Sequence, residues 1–398
     1  MAEWKNARAF VELAFSIDKY LPGYVDAYFG PDEIRASVGA RGKIHLEELS
    51  AVLDQIIAST RQDTSITNAR REYLSAELNA MRTTLRLFQG EKIDIVAEAQ
   101  GLYGLSPAWI EESVFAEAHR ALEALLPGPG ALKERLDSFR ESTMIPGDRI
   151  VDIGRRIAEE LRRRTKGFVP LPEGESCDFS LVRDKPWAAY NWYLGEYRSR
   201  IEINTDLPIP ASFILHFMAH EAYPGHHTEH AMKEKLLYRE AGYLEHSILL
   251  SNTPSAVVSE GIAEIASEIF TTPDGMVRLL QVIIDEAGLQ GVAADRLYQI
   301  TKAGRLLDKV MINQILMFYD RGASDEEVTG YGMKFGLQRE PQSRKFLEMI
   351  KDPLWRSYGF LYPMGYELVK GFVSREGSVG ERFLRLLQEP VTTTQLLN

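Results

Sequence analysis

HEAYPGHHTEH, residues 220–230, packs four histidines and two carboxylates into eleven residues. With His216 and His246, six of the chain's eight histidines fall within 31 residues, a density that chance explains poorly. Imidazole nitrogen suits a borderline ion such as zinc, and three protein ligands leave one coordination position for water. The familiar zinc helix, His-Glu-x-x-His, sets two imidazoles on one face with a glutamate beside them. His220 and Glu221 begin that pattern, but Pro224 stands where the second histidine belongs. In an ideal helix His226 would be rotated about 240° from His220, and His227 would sit about 10 Å further along the axis. Neither position permits a shared ion unless the helix is interrupted.

Pro224 and Gly225 supply the interruption. Looping two residues out of the helical count returns His226 to the place of the usual second ligand, so His220 and His226 are the favoured pair. His227 is the close competitor. His230, one turn beyond His226, is the alternative partner for a site that excludes His220. His216 and His246 read as ordinary core histidines. A third ligand is expected from SEGIAEIASEI, residues 259–269, where Glu260 and Glu264 lie one turn apart among small and apolar residues. Glu260 is the candidate ligand, and Glu264 a candidate to orient an imidazole from behind.

Outward from this stretch, the sequence reads as mainly helical. Residues 65–93, 130–141 and 151–165 carry amphipathic or helix-favouring patterns, as do 256–270, 276–288 and a long segment 293–320. Ser324 and Glu327 have the spacing of a capping box. Pro127–Gly130 and Pro146–Gly147 read as turns. The exception is KPWAAYNWYLGEYRSRIEINTDLP, residues 185–208, whose aromatic and alternating character predicts one or two strands ending at Pro208. That gives a small antiparallel element just before the histidine helix, whose edge is a possible backbone-binding surface for an extended peptide. An N-terminal helical portion, 1–150, and a site-bearing portion, 151–398, are expected, either as two lobes or as one continuous domain.

Composition narrows the function. With 398 residues and 45% apolar content, a large core needs no crosslinks, so metal ligands are more useful for chemistry than for holding the fold. A single cysteine, Cys177, excludes an internal disulfide. Forty-six basic against 57 acidic residues leave a formal charge of -11, which argues against a broad nucleic-acid footprint. No run of 18 apolar residues predicts a membrane span, and Glu3, Lys5 and Arg8 break up the N-terminus, so a cytoplasmic location is the expectation.

On these residues the chain resembles the DUF885 family, whose HExxPGHH signature HEAYPGHH, 220–227, matches closely. EGIAE, 260–264, resembles that family's later glutamate segment, and YGLSPAW, 103–109, with the aromatic approach 187–204, fits loosely. The family is related to the helical gluzincin metallopeptidases. The resemblance implies a gluzincin-like helical fold, Zn2+ as cofactor, His220, His226 and Glu260 as ligands, Glu221 as general base and Glu264 as support for the first histidine. YPMGYELVKG, 362–371, resembles the family's C-terminal YPGQAxAYKIG but departs at Met364, Gly365, Tyr366 and Val369. RLLDKVMIN, 305–313, places Asn313 where relatives often have histidine.

The expected reaction is hydrolysis of a peptide bond, with short peptides as substrates. Tyr362 is the first candidate donor to a developing oxyanion and Tyr366, four residues on, the second. Lys370, Arg305 and Arg200 are candidate partners for a substrate carboxylate. A zinc amidase or esterase acting on a nonpeptide substrate is the enzyme alternative. A noncatalytic helical metal-binding protein is the alternative of another class. Oligomeric state and the choice between exopeptidase and oligopeptidase action stay open.

Overall fold

The computed structural model describes residues 4–269 and 271–397. The first part of the chain forms α1 (Ala7–Asp18), β1 (Val25–Tyr28), α2 (Asp32–Gly39), α3 (Leu46–Gln62), α4 (Asn68–Phe88), α5 (Ile95–Tyr103), α6 (Glu112–Leu125), α7 (Leu132–Ser142) and α8 (Ile150–Thr165). Then come β2 (Ser176–Val182), β3 (Ala189–Gly195), β4 (Arg198–Asn204), α9 (Ala211–Phe217), α10 (His226–Lys233) and β5 (Ile248–Leu250). The remainder is helical: α11 (Pro254–Ile269), α12 (Pro273–Ala287), α13 (Ala294–Gly304), α14 (Val310–Tyr319), α15 (Asp325–Phe335), α16 (Glu340–Lys351), α17 (Leu361–Val373), α18 (Val379–Gln388) and α19 (Thr393–Leu397).

The mainly helical class follows from the 3.6-residue patterning. In α8, Ile150, Ile153, Ile157 and Leu161 are buried at helical spacing, while Arg155, Arg156, Glu159 and Arg163 face water. Ser324 caps α15 and Glu327 returns the reciprocal bond, the capping box expected there. The expected long helix 293–320 is instead broken into α13 and α14 by a 3-10 turn, Arg305–Lys309. Gly304 weakens the helix at that point, and the turn delivers Arg305 to Glu264 at 2.5 Å.

The β prediction also needs correction. The sheet next to the histidine segment has three strands in the order β2-β4-β3; β3 and β4 are antiparallel, but β2 runs parallel to β4. Ser176–Val182 alternates apolar Cys177, Phe179 and Leu181 with polar residues, a signal the reading of 185–208 left out. Glu196 and Tyr197 turn the β3–β4 hairpin at φ 52° and 60° without glycine. Their backbone N–H groups donate to the buried Glu234 carboxylate at 3.1 and 3.2 Å, which compensates this rarely populated backbone.

Contacts cross residue 150 in several places. β1 pairs antiparallel with β5. Arg70 makes a two-pronged, buried ion pair with Glu245 at 2.6 and 2.9 Å, and Tyr103 donates to Asn252. Ile248, Leu250 and Leu354 complete the core formed by α1, α3 and α4. On the other side α11 lies against α17, where Gly261 faces Gly365 so closely that a methyl group on Gly261 would come within 2.5 Å of the Gly365 carbonyl oxygen. Glycine at these two positions lets the helix carrying Glu260 and the helix carrying Tyr362 approach. Between the cores runs a cleft of about 1330 Å³ lined from β1, β3, α9, α10, α11 and α17. No helix among the described residues is long and apolar enough to cross a membrane.

Candidate metal centre

The histidine segment leaves α-helical geometry where Pro224 and Gly225 demand it. Met218–Ala222 is a π-helical turn, with Tyr223 N–H donating to the Met218 carbonyl and Gly225 N–H to the Ala219 carbonyl. Helix α10 then begins afresh at His226. Pro224 has no N–H to continue the ladder. Gly225 has no room for a side chain, since a Cβ there would lie 1.9 Å from the His220 carbonyl oxygen and 2.5 Å from that of Ala219. The wide turn brings the His220 and His226 rings to 4.7 Å between centroids.

Across from them α11 presents Glu260. Its Oε2 is 3.4 Å from His220 Nε2 and 3.8 Å from His226 Nε2. Ligands about 2.0–2.1 Å from a tetrahedral ion lie roughly 3.3 Å from one another, so these spacings are close to those of a ligand set. Each imidazole has its other nitrogen directed elsewhere. His226 Nδ1 meets Ser259 Oγ at 3.0 Å, and Ser259 donates to Glu229 at 2.5 Å. His220 Nδ1 faces Glu264 Oε1 at 3.6 Å. Ser259 holds the His226 Nε2 toward Glu260 by a hydrogen bond, the arrangement a histidine-ligated ion requires, whereas the His220 Nδ1 is near the Glu264 carboxylate without a hydrogen bond to it. Glu260 Oε2 is buried without a hydrogen-bond partner among the described residues, an acceptor that a cation would satisfy. Two imidazoles and one carboxylate form a donor set that fits zinc.

A second grouping, His216, His220 and Glu264, also brings metal-type donors together. There, however, Glu264 is taken by Arg305. Burial disfavours the Glu264 carboxylate, but Arg305, His216 and His220 outweigh it and hold the group below the usual range. Burial, aided by the nearby His220 and Arg305, drives His216 down to about 4 against the pull of Glu264. His227 lies in neither grouping. It is fully buried, with Nε2 3.1 Å from Glu175 and Nδ1 2.8 Å from Ser199, and ties α10 to the sheet. His230 stacks on His226 with ring centroids 5.7 Å apart, and His246 stacks on Tyr73 at 4.8 Å.

Glu221 lies on the π turn, faces the cleft and has a carboxylate that makes no hydrogen bond among the described residues. Burial raises its pKa above the ordinary carboxylate value, against the opposing pull of His220 and His226. Its main chain is pinned by Asn191 of β3, whose Nδ2 donates to the Glu221 carbonyl at 2.6 Å. Burial likewise opposes the imidazolium of His226, but Glu260 outweighs it and carries that group up to about 9. For Glu260 the two histidines overcome burial and hold the carboxyl far below its usual range.

Tyr362 reaches the same cleft, and its hydroxyl has no hydrogen-bond partner among the described residues. Burial and the nearby Glu260 and Glu221 keep it a neutral phenol. Tyr366, the second candidate, is engaged elsewhere: its hydroxyl donates to Glu268 at 3.0 Å and receives a bond from Lys370. The cations expected to await a carboxylate are also occupied. Lys370 pairs with Glu268 at 3.1 Å and Arg305 with Glu264. Arg200 projects from β4 beside Glu202, outside the cleft lining. Asn313 is fully buried and clamps both backbone groups of Ile110 at 2.8 Å, which makes it a fastening for the loop before α6.

Three functional neighbours escaped the sequence reading. Tyr358 donates to Glu260 Oε1 at 2.7 Å, leaving Oε2 for the histidines. Its place one helical turn before Tyr362 was the available signal. Ser259, adjacent to Glu260, orients His226. Asp26, which accepts a hydrogen bond from Tyr190, comes from β1 with no local motif to mark it.

No protein family profile and no curated protein matches the chain. The fold is similar to that of a candidate lipoprotein from Colwellia psychrerythraea, with TM-score 0.52 and 12% identity over 87% of this chain and 65% of that one. This chain thus spans just under two thirds of the Colwellia chain. A candidate lipoprotein of unknown function from Shewanella oneidensis aligns at TM-score 0.49 and 12% identity, over 99% of this chain and 82% of that one. The Colwellia likeness establishes a shared mainly helical fold.

Proposed function

We propose that the chain is a zinc-dependent peptidase acting on short peptides. The observation that carries this reading is the convergence of His220 Nε2, His226 Nε2 and Glu260 Oε2, with the free Glu221 carboxylate beside them in a large cleft. His220, His226 and Glu260 would hold the ion, whose chemistry is to act as a Lewis acid and lower the pKa of water from about 15.7 toward roughly 7.

The remaining work falls to side chains of this protein. Glu221 accepts the proton of the attacking water on a carboxylate oxygen and returns it to the leaving amine. Its environment suits both duties, because burial raises its proton affinity and no hydrogen bond immobilises the carboxylate. Tyr362 donates its unengaged O–H to the oxygen that becomes negative at the scissile carbonyl. Tyr358 and Ser259 fix the carboxylate and the imidazole they touch, so little reorganisation accompanies reaction. β3 is an edge of its sheet, and Ala189, Tyr190 and Asn191 line the cleft. An extended peptide laid along that edge would pass Glu221 and Tyr362.

Metal analysis of the purified protein, with cleavage of a mixed peptide library before and after chelation, tests the reading. The expected result is about one zinc per chain and hydrolysis that disappears with chelator and returns with zinc. Metal-free protein that binds no added zinc, or hydrolysis indifferent to chelation, would sink it.

A further inference from the structure

We propose that Asp26 anchors the free α-amino group of a bound peptide, so that the cleft takes its substrates by their N-terminal end. This rests on the peptidase reading and adds a substrate class to it.

Asp26 is brought to the cleft by the pairing of β1 with β5, far in sequence from the metal-type ligands. Its carboxylate accepts a hydrogen bond from the Tyr190 hydroxyl on β3. It lines the same cleft as His226, Glu260 and Glu221 and couples electrostatically to all three. Among the described residues no lysine or arginine forms an ion pair with it. Three of the cations that line the cleft are committed to other acids: Arg305 to Glu264, Lys233 to Glu229 and Lys370 to Glu268. A half-buried carboxylate whose proton affinity burial raises, with no lysine or arginine paired to it, gains from a positive charge carried by a ligand.

A second observation points to the same chemistry. Asn191 is 7% exposed and lines the cleft on β3. Because its Nδ2 donates to the Glu221 carbonyl, the amide orientation is fixed and Oδ1 remains an acceptor. That oxygen is buried and has no hydrogen-bond partner among the described residues. Besides Asp26 the cleft lining therefore holds an unsatisfied carbonyl oxygen on the next residue of β3 after Tyr190, so a ligand rich in N–H donors meets acceptors at two separate places. In a peptide the α-amino nitrogen is separated from the first scissile carbonyl by a single carbon atom. Its anchor must lie in the cleft that holds the catalytic groups, as Asp26 does.

The test measures binding apart from turnover. Zinc-supplemented Glu221→Gln protein is titrated calorimetrically with three tetrapeptides: one with a free amino terminus, its N-acetylated counterpart, and an N-acetylated peptide with lysine first. The free amine is expected to bind at least tenfold more tightly than either acetylated peptide, and Asp26→Asn in the same background to abolish that difference. Equal affinity for free and acetylated termini overturns the anchor, as does a preference that survives Asp26→Asn. Restored binding by the lysine peptide overturns the assignment to the α-amino group. The comparison within Glu221→Gln stands even if the double variant fails to fold. Parallel assays of unmutated protein separate the two ideas: a free-amine binding preference without hydrolysis of any peptide removes the peptidase reading and leaves the anchor. Hydrolysis indifferent to acetylation does the opposite.

Discussion

Gly225→Ala tests the turn on which the centre depends. The added methyl would lie 1.9 Å from the His220 carbonyl oxygen, where ordinary contact begins at 3.4 Å, so about 1.5 Å must be opened between two backbone segments. A second contact, 2.5 Å to the Ala219 carbonyl, closes the obvious route of escape. Neither neighbour is the flexible end of a side chain. The cost should therefore lie near the top of the range for overpacking, about 3 kcal/mol. For 398 residues unfolding cooperatively, that corresponds to a fall of about 4 °C in Tm. The displacement acts on the main chain of the first histidine and directly before the second, so their Nε2 atoms should separate. Zinc affinity, measured by competition with a chromophoric chelator, should drop by about 10- to 100-fold, as for loss of an outer-shell support. Thermal unfolding of the metal-free variant supplies the independent stability measurement. A variant with unchanged zinc affinity and unchanged Tm would refute the argument that this turn admits only glycine.

His226→Ala should release zinc at least tenfold more readily, whereas His227→Ala should retain it and lose about 3 kcal/mol of stability through the cavity left in the core and the lost bonds to Ser199 and Glu175, the latter still held by Arg162 and Tyr223; the reverse pattern in chelator competition would show the ligand assignment to be mistaken. Tyr362→Phe should lower kcat by about 10²- to 10³-fold with little change in KM or zinc content, and an unchanged kcat would remove it from the reaction. Glu77, held chiefly by burial at a pKa of about 7 against an ordinary 4.5, binds its proton more tightly folded than unfolded. Its stabilising contribution is therefore present below about pH 4.5 and lost as pH rises through about 7. Denaturant unfolding should show the wild type losing about 3 kcal/mol relative to Glu77→Gln between pH 4 and pH 8, and parallel pH profiles would contradict that shift.

Much of the helical framework was legible because its signals are local. The apolar spacing of α8 and the Ser324–Glu327 cap need only a few neighbouring residues to express their meaning. The long helix 293–320 misled because periodicity does not report a turn stabilised from outside the segment, as that at Arg305 is by Glu264. The same limit concealed β2, whose place in the sheet is set by β4 some twenty residues later.

At the candidate centre the division is similar. His220, Glu221, Pro224, Gly225 and His226 lie within seven residues, and chain chemistry alone required that the helix open between the two histidines. The missing N–H of proline and the absent side chain of glycine make that a local necessity. Which partners meet them was a matter of packing. Glu260 arrives because Gly261 and Gly365 let α11 and α17 approach, and Tyr358 then fixes its carboxylate. Tyr366, Lys370 and Arg305 are diverted by acids on other turns or helices. Asp26 enters from a strand almost two hundred residues away. Hydrogen bonds and ion pairs act over a few ångströms whatever the sequence separation, so local order announced the histidine turn, and only the closed tertiary structure selected the groups that face it.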